Sequence, residues 1–185
     1  MPDEVTFNQR VVRVVKGDLT ALEGDAMVMY AQSNLSLGTG FGGAVSVRGG
    51  PAIQEELKAI GSIGPAEAVA TSAGDLKYKH IVHANGPRFL EEDMEGKLRR
   101  TIHNALNQAE ACDARSVVIP PLGAGFHGVP LDMCCRVMIE SIKSRLSGET
   151  KLREITICAL DNREYAPFQQ ALRQLGAGLR APGIG

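Results

Sequence analysis

Short continuous apolar runs alternate along this 185-residue chain with longer stretches whose apolar residues recur every three or four positions. The runs Val11–Val15, Ala26–Ala31, Glu67–Thr71, His80–Ala84, Ser116–Ile119 and Glu154–Leu160 have strand length. Their apolar residues are consecutive instead of alternating, which suits strands covered on both faces. Asn85-Gly86-Pro87 and Pro120-Pro121 stop two of them. Between the runs lie helical patterns. Gly43–Arg48 opens one, and Pro51, a good first-turn residue, restarts it with Ile53, Leu57 and Ile60 on one face. Leu98, Ile102, Ala105, Leu106 and Ala109 form a second stripe; Leu131, Cys134, Met138 and Ile142 a third; Phe168, Ala171, Leu172 and Leu175 the last. Strands alternating with helices predict an α/β fold: a central mixed, mostly parallel sheet between two helical layers. The length suits a single domain over 1–175, and the run GAGLRAPGIG from Gly176 to Gly185 is read as a flexible C-terminal tail.

A formal net charge of -1 supplies no global positive field, so nucleic acid is not an expected partner. An anionic ligand then has to be held by local devices. The N-terminus lacks a signal-peptide pattern and no apolar run spans a membrane, so a cytoplasmic location with no membrane partner is expected. Cys112, Cys134, Cys135 and Cys158 show no C-x-x-C spacing and read as reduced, mostly buried thiols. No group of Cys, His, Asp and Glu has metal-ligand spacing, and no metal is expected.

The 21 glycines cluster, most clearly in two loops. Gly123-Ala124-Gly125-Phe126-His127-Gly128 follows the strand Ser116–Ile119 and precedes the helix that starts near Pro130. A strand, a glycine-rich turn and a helix N-terminus make an anion site, because successive N–H groups and the helix dipole converge on it. No Gly-Lys-Ser/Thr follows, so this is not a nucleoside-triphosphate loop. Gly38-Thr39-Gly40-Phe41-Gly42-Gly43 contains G-x-G-x-x-G, the dinucleotide-binding signature. Here Gln32–Leu37 separate it from its strand, and the acidic residues about twenty positions on, Glu55 and Glu56, fall within a helix. An NAD-dependent oxidoreductase is therefore the weaker reading. Both loops follow carboxyl ends of strands, where open α/β sheets bind ligands.

The order of motifs resembles the macrodomain family. Gly17-Asp18-Leu19-Thr20, Asp25-Ala26-Met27-Val28, the Gly38–Gly43 loop with Ala44, and Gly49-Gly50-Pro51 are similar to its opening. Ala66–Val69, Ile81–Ala84 and Pro120–Gly125 with Gly128 and Pro130 continue the likeness from about Val11 to Leu175. The resemblance implies a three-layer α/β/α module that binds ADP-ribose, free or on an ADP-ribosylated macromolecule, with no cofactor besides that ligand. It implies that Asp18 accepts a hydrogen bond from the adenine amino group, with Leu19 beside the ring and Leu160 where an adenine-stacking aromatic is common. Gly38, Gly40, Phe41, Gly42, Gly43 and Ala44 would wrap the diphosphate and distal ribose. Leu122, Gly123, Ala124, Gly125, Phe126, His127 and Gly128 would cradle the diphosphate.

Departures from the family pattern fall in the first loop region. Met29-Tyr30-Ala31-Gln32 stands where hydrolytic members carry Asn-Ala-Ala-Asn, and Gly42 where one hydrolase class keeps an aspartate. Without that carboxylate no obvious base positions water, which favours a module binding ADP-ribose or O-acetyl-ADP-ribose over an ADP-ribosyl hydrolase or O-acetyl-ADP-ribose deacetylase, which would need substrate-assisted water activation. Gln32, Asn34 and His127 are the candidate helpers for any such hydrolysis. Gln32 and Asn34 read equally as ribose contacts or as residues closing their own loop. His127 reads first as a packing residue, His83 as a satisfied core histidine, Asp18 alternatively as a cap, and Arg48 as a solvated or capping arginine.

Overall fold

A computed structural model describes residues 3–180. Seven strands form one sheet: β1 Asp3–Phe7, β2 Arg10–Lys16, β3 Gly24–Tyr30, β4 Ala68–Ser72, β5 Tyr78–Ala84, β6 Ser116–Ile119 and β7 Glu154–Ala159, in the order β1-β2-β7-β6-β3-β5-β4. The β2-β7-β6-β3-β5 interior is parallel, and the two edge strands β1 and β4 pair antiparallel with their neighbours. The expected mixed, mostly parallel sheet is observed. Five helices cover it: α1 Gly40–Gly49, α2 Ala52–Ile60, α3 Met94–Ala111, α4 Leu131–Ser147 and α5 Asn162–Arg180.

The strands are apolar on both sides because each face has its own core. Val28, Val82, Val117 and Ile155 point to the α3–α5 layer, where Leu98, Ile102, Ala105, Leu106, Met138 and Phe168 are buried. Met27, Met29, Ile81 and Val118 point to the α1–α2 layer and meet Val45, Ile53 and Leu57. Ile60, expected on the buried face of α2, is 41% exposed because the helix ends there and Gly61 turns the chain away.

Two elements differ from expectation. β1 is an additional strand, joined to β2 through Asn8-Gln9, both with positive φ, in a two-residue hairpin. Helix α5 continues through residues 176–180, which were expected to be tail. Gly176 lies close to Val5 of β1, so the last helical turns have a partner that the sequence reading lacked. The rest of that expected tail, 181–185, lies outside the described residues. Among the described residues no helix is long and apolar enough to cross a membrane.

Candidate functional site

A cleft of about 680 Å³ opens over the carboxyl ends of β2, β7, β6, β3 and β5. This is in the size range of small-molecule sites. Asp18, Leu19, Cys158 and Leu160 line the β2–β7 end, with Arg163 and Glu164 from the start of α5. The second glycine loop lines its middle, from Leu122 to His127. Gln32, Leu35–Gly42, Met29, Tyr30 and His83 line the part over β3 and β5.

The cap and cleft readings of Asp18 both describe its position. Its Oδ1 accepts from the Thr20 N–H at 2.9 Å and from the Thr20 hydroxyl at 2.6 Å, capping a 3-10 turn at Leu19–Ala21. Oδ2 accepts from Arg48 Nη1 at 2.5 Å. The Thr20 hydroxyl bond, and the Arg48 charge after it, hold the Asp18 carboxyl below the usual range, so it is ionised at neutral pH. Cys158 donates weakly to the Gly17 carbonyl at 3.5 Å, and burial pushes its thiol up to about 11. It is a neutral wall of the cleft, not a nucleophile. Leu160 is 73% exposed, an apolar surface beside Asp18's end of the cleft.

The second loop closes on itself beside the cleft. Gly128 N donates to Gly125 O at 3.0 Å and Val129 N to Gly123 O at 3.0 Å. Gly123 and Gly125 adopt φ of 78° and 81°, left-handed values that favour glycine. Among the described residues, the N–H groups of Gly123, Gly125, Phe126 and His127 have no acceptor. The N-terminus of α4 follows at Leu131 and carries no side-chain cap. Across the cleft α1 begins at Gly40, also without a side-chain cap. The uncapped start of α1 thus borders an apolar cleft whose charged lining side chains are Asp18, Arg163 and Glu164.

Tyr30 ties the loops together. Its ring stacks on His127 with centroids 4.5 Å apart, and the Arg88 guanidinium lies 4.9 Å from its centroid. The Tyr30 hydroxyl donates to the Pro87 carbonyl. Arg88 donates to Gly86 O at 2.5 Å and to Ala31 O at 2.6 Å. Burial first, and the Arg88 charge second, hold His127 below its ordinary value, so it is neutral at pH 7. His127 is a packed wall of the cleft, as its blander reading had it. Replacing Arg88 with Ala strips two carbonyls of charged donors and is expected to destabilise the fold by about 1–3 kcal/mol, measured by urea unfolding. The same substitution should raise the His127 pKa, readable by NMR titration.

Placement divides the other expected ligand residues. Gln32 lines the cleft, its side chain near Gly38 and without a hydrogen-bond partner among the described residues. Asn34 does not line it: its Oδ1 accepts from the Ser36 N–H at 3.0 Å, closing its own turn. Gly43 and Ala44 fall behind the lining, one turn into α1. Gly128 also falls outside the lining and packs against Phe89. Gly38, Gly40, Phe41, Gly42 and the stretch Leu122–His127 all face the cleft, and Phe126 is 97% exposed at its rim. Gly42 is fixed by sterics, since a Cβ there would overlap the Leu37 carbonyl oxygen. His83 is buried as expected, but it lines the cleft and only one of its ring nitrogens is satisfied. The sequence reading missed Tyr30, His83, Arg163 and Glu164 as cleft residues; the first two carried a visible signal as polar rings inside apolar runs.

The order of the strands and the cleft over their carboxyl ends define a three-layer α/β/α module. Its sheet order and the separation of Gly38 from β3 by Ala31–Leu37 are not those of a dinucleotide-binding unit. The sequence profile of the Macro domain matches residues 28–138. A protein of Sulfurisphaera tokodaii is 34% identical over 162 residues, covering 85% of this chain and 88% of that one. A macro domain-containing protein of Caldanaerobacter subterraneus subsp. tengcongensis is 30% identical over 170 residues, covering 89% of this chain and 97% of that one. The solved Oceanobacillus iheyensis macrodomain with ADP superposes with a TM-score of 0.90 at 21% identity, covering 96% of this chain and 98% of that one. This chain belongs to the macrodomain family.

Proposed function

We propose that the cleft binds ADP-ribose, free, attached to a macromolecule or as O-acetyl-ADP-ribose, and holds it without cutting it. One observation carries this reading: among the described residues a row of backbone N–H groups without an acceptor, those of Gly123, Gly125, Phe126 and His127, lies in the lining of the same cleft as an ionised Asp18. The row suits a diphosphate, since peptide N–H donors and a helix N-terminus bind phosphate oxygens with no lysine. Asp18 suits an adenine amino group, and Leu19 and Leu160 supply apolar surface for the ring. The two carboxylates that line the cleft, Asp18 and Glu164, both stand at the β2–β7 end, far from where a distal ribose would lie. Glu164 is also engaged, accepting from the Leu160 N–H at 2.8 Å. That placement favours a binding module over a hydrolase. Four unpaired cysteines suit work in a reducing compartment such as the cytoplasm.

Thermal denaturation tests the reading. ADP-ribose at a hundredfold over Kd should stabilise the fold by about 2.7 kcal/mol. Asp18→Asn retains a capping oxygen for Thr20 but loses the anionic acceptor, and should weaken ADP-ribose binding about tenfold in calorimetric titration. No thermal shift with millimolar ADP-ribose, ADP and AMP alike removes the proposal. Release of free ADP-ribose from a modified protein during incubation would replace it with the hydrolase.

A further inference from the structure

His83 is the most deeply placed ring in the cleft lining, 1% exposed on β5 and paired in register with Met29 of β3. Its protonation pattern follows from its neighbours. The Thr71 hydroxyl has one proton and donates it to the Ser72 carbonyl at 2.9 Å. Thr71 Oγ1 therefore accepts from His83 Nε2, also at 2.9 Å. The ring proton is on Nε2, and Nδ1 is a bare acceptor. Nδ1 is buried and has no hydrogen-bond partner. Met29, Leu35 and Leu37, which share this core and face the cleft, are apolar and offer no donor. A buried acceptor left unmatched costs about 1–3 kcal/mol, so its persistence calls for a physical reason.

The sheet order supplies one. From β2, whose end leads into Asp18, four strand spacings run through β7, β6 and β3 to β5. At about 4.8 Å each they span about 19 Å. A ligand with its base at Asp18 and its diphosphate on Gly123–His127 extends its far end towards β3 and β5. In ADP-ribose that end is a second ribose, a group rich in O–H donors. We propose that His83 Nδ1 accepts a hydrogen bond from a hydroxyl of this distal sugar. Nδ1 is covered in the unliganded chain, so the contact requires a local shift of the lining around His83 on ligand entry. The inference rests on the reading of the cleft as an ADP-ribose site and assigns the residue that distinguishes ADP-ribose from ADP.

The test compares wild type with His83→Gln, titrated calorimetrically with ADP-ribose and with ADP. Glutamine keeps an N–H for Thr71 and removes the ring acceptor. The expected result is a roughly tenfold loss of ADP-ribose affinity, with ADP binding unchanged to within about twofold. Wild type supplies a second readout that needs no variant: long-range proton–nitrogen NMR should show the His83 Nδ1 resonance moving with ADP-ribose and not with ADP. Equal losses for both ligands, or an Nδ1 resonance that ADP-ribose leaves in place, overturn the assignment to the distal sugar. If wild type binds neither ligand, the cleft reading itself fails and the inference falls with it.

Discussion

Acidification from pH 7 to pH 4 is expected to cost the fold on the order of 3 kcal/mol through His83 alone. Burial pulls this imidazole from its ordinary 6.5 down to about 4. The ring is 1% exposed, so solvent screens little of that effect. Its neutral form is the one the core accepts. Between pH 6.5 and pH 4 the unfolded chain takes up a proton that the folded chain refuses. The stability tied to the neutral ring is therefore complete above pH 6.5 and is lost as pH falls through the folded value, levelling below it. Urea unfolding of wild type and His83→Gln at a series of pH values isolates this group from the titrating carboxylates. The stability advantage of wild type over the variant should shrink by about 3 kcal/mol between pH 7 and pH 4. A difference that stays constant with pH would show that His83 is not held neutral by burial.

The second large effect belongs to Gly42. In this family one hydrolase class keeps an aspartate at the corresponding place, yet here even a methyl group would meet the Leu37 carbonyl. Leu37 cannot easily retreat. Its N–H donates to Gln54 Oε1 at 3.1 Å, and Gln54 Nε2 donates to Leu35 O at 3.3 Å, so α2 grips the first loop from behind. Gly42→Ala should destabilise by about 1–3 kcal/mol, the ordinary cost of forcing extra volume into packed structure. Scanning calorimetry would register a Tm lower by about 2–4 °C per kcal/mol for a domain of this size. Gly42→Asp should lose at least as much and gain no ADP-ribosyl-hydrolysing activity, because the loop has no room for the carboxylate to face the cleft. An unchanged Tm for Gly42→Ala would show that the loop yields freely, and would reopen the question of a base at this position.

What could be read from the sequence was what local residues decide. Consecutive apolar runs report burial on both faces, and the parallel interior follows from their alternation with helices. Asp18 and the Gly123–His127 loop are short segments whose chemistry is internal to them, so their placement needed no knowledge of distant neighbours. β1 was harder to see because it is an edge strand. Val5 and Phe7 are its only apolar residues, set among Asp3, Glu4 and Thr6, and its hairpin turns through Asn8-Gln9 without a glycine to mark it. The end of α5 was lost for a linked reason: Gly176 and Gly178 suggest tail unless β1 is there to receive them. Tyr30 and His83 stood out as polar rings inside apolar runs, but which side they face depends on strand register and was not readable locally. His83 faces the cleft because β5 pairs with β3 opposite Met29, and Arg163 and Glu164 arrive from the first turn of a helix far along the chain. Asn34 lies outside the lining, its side chain closing its own turn, an option the sequence leaves equally open.

A structure of the protein with ADP-ribose bound tests the central claim most directly. Adenine is expected between Asp18 and Leu160, diphosphate oxygens on the N–H groups of Gly123, Gly125, Phe126 and His127, and the distal ribose at the β3–β5 end above His83. Ligand density elsewhere on the surface, or a diphosphate bound away from the second glycine loop, would contradict it.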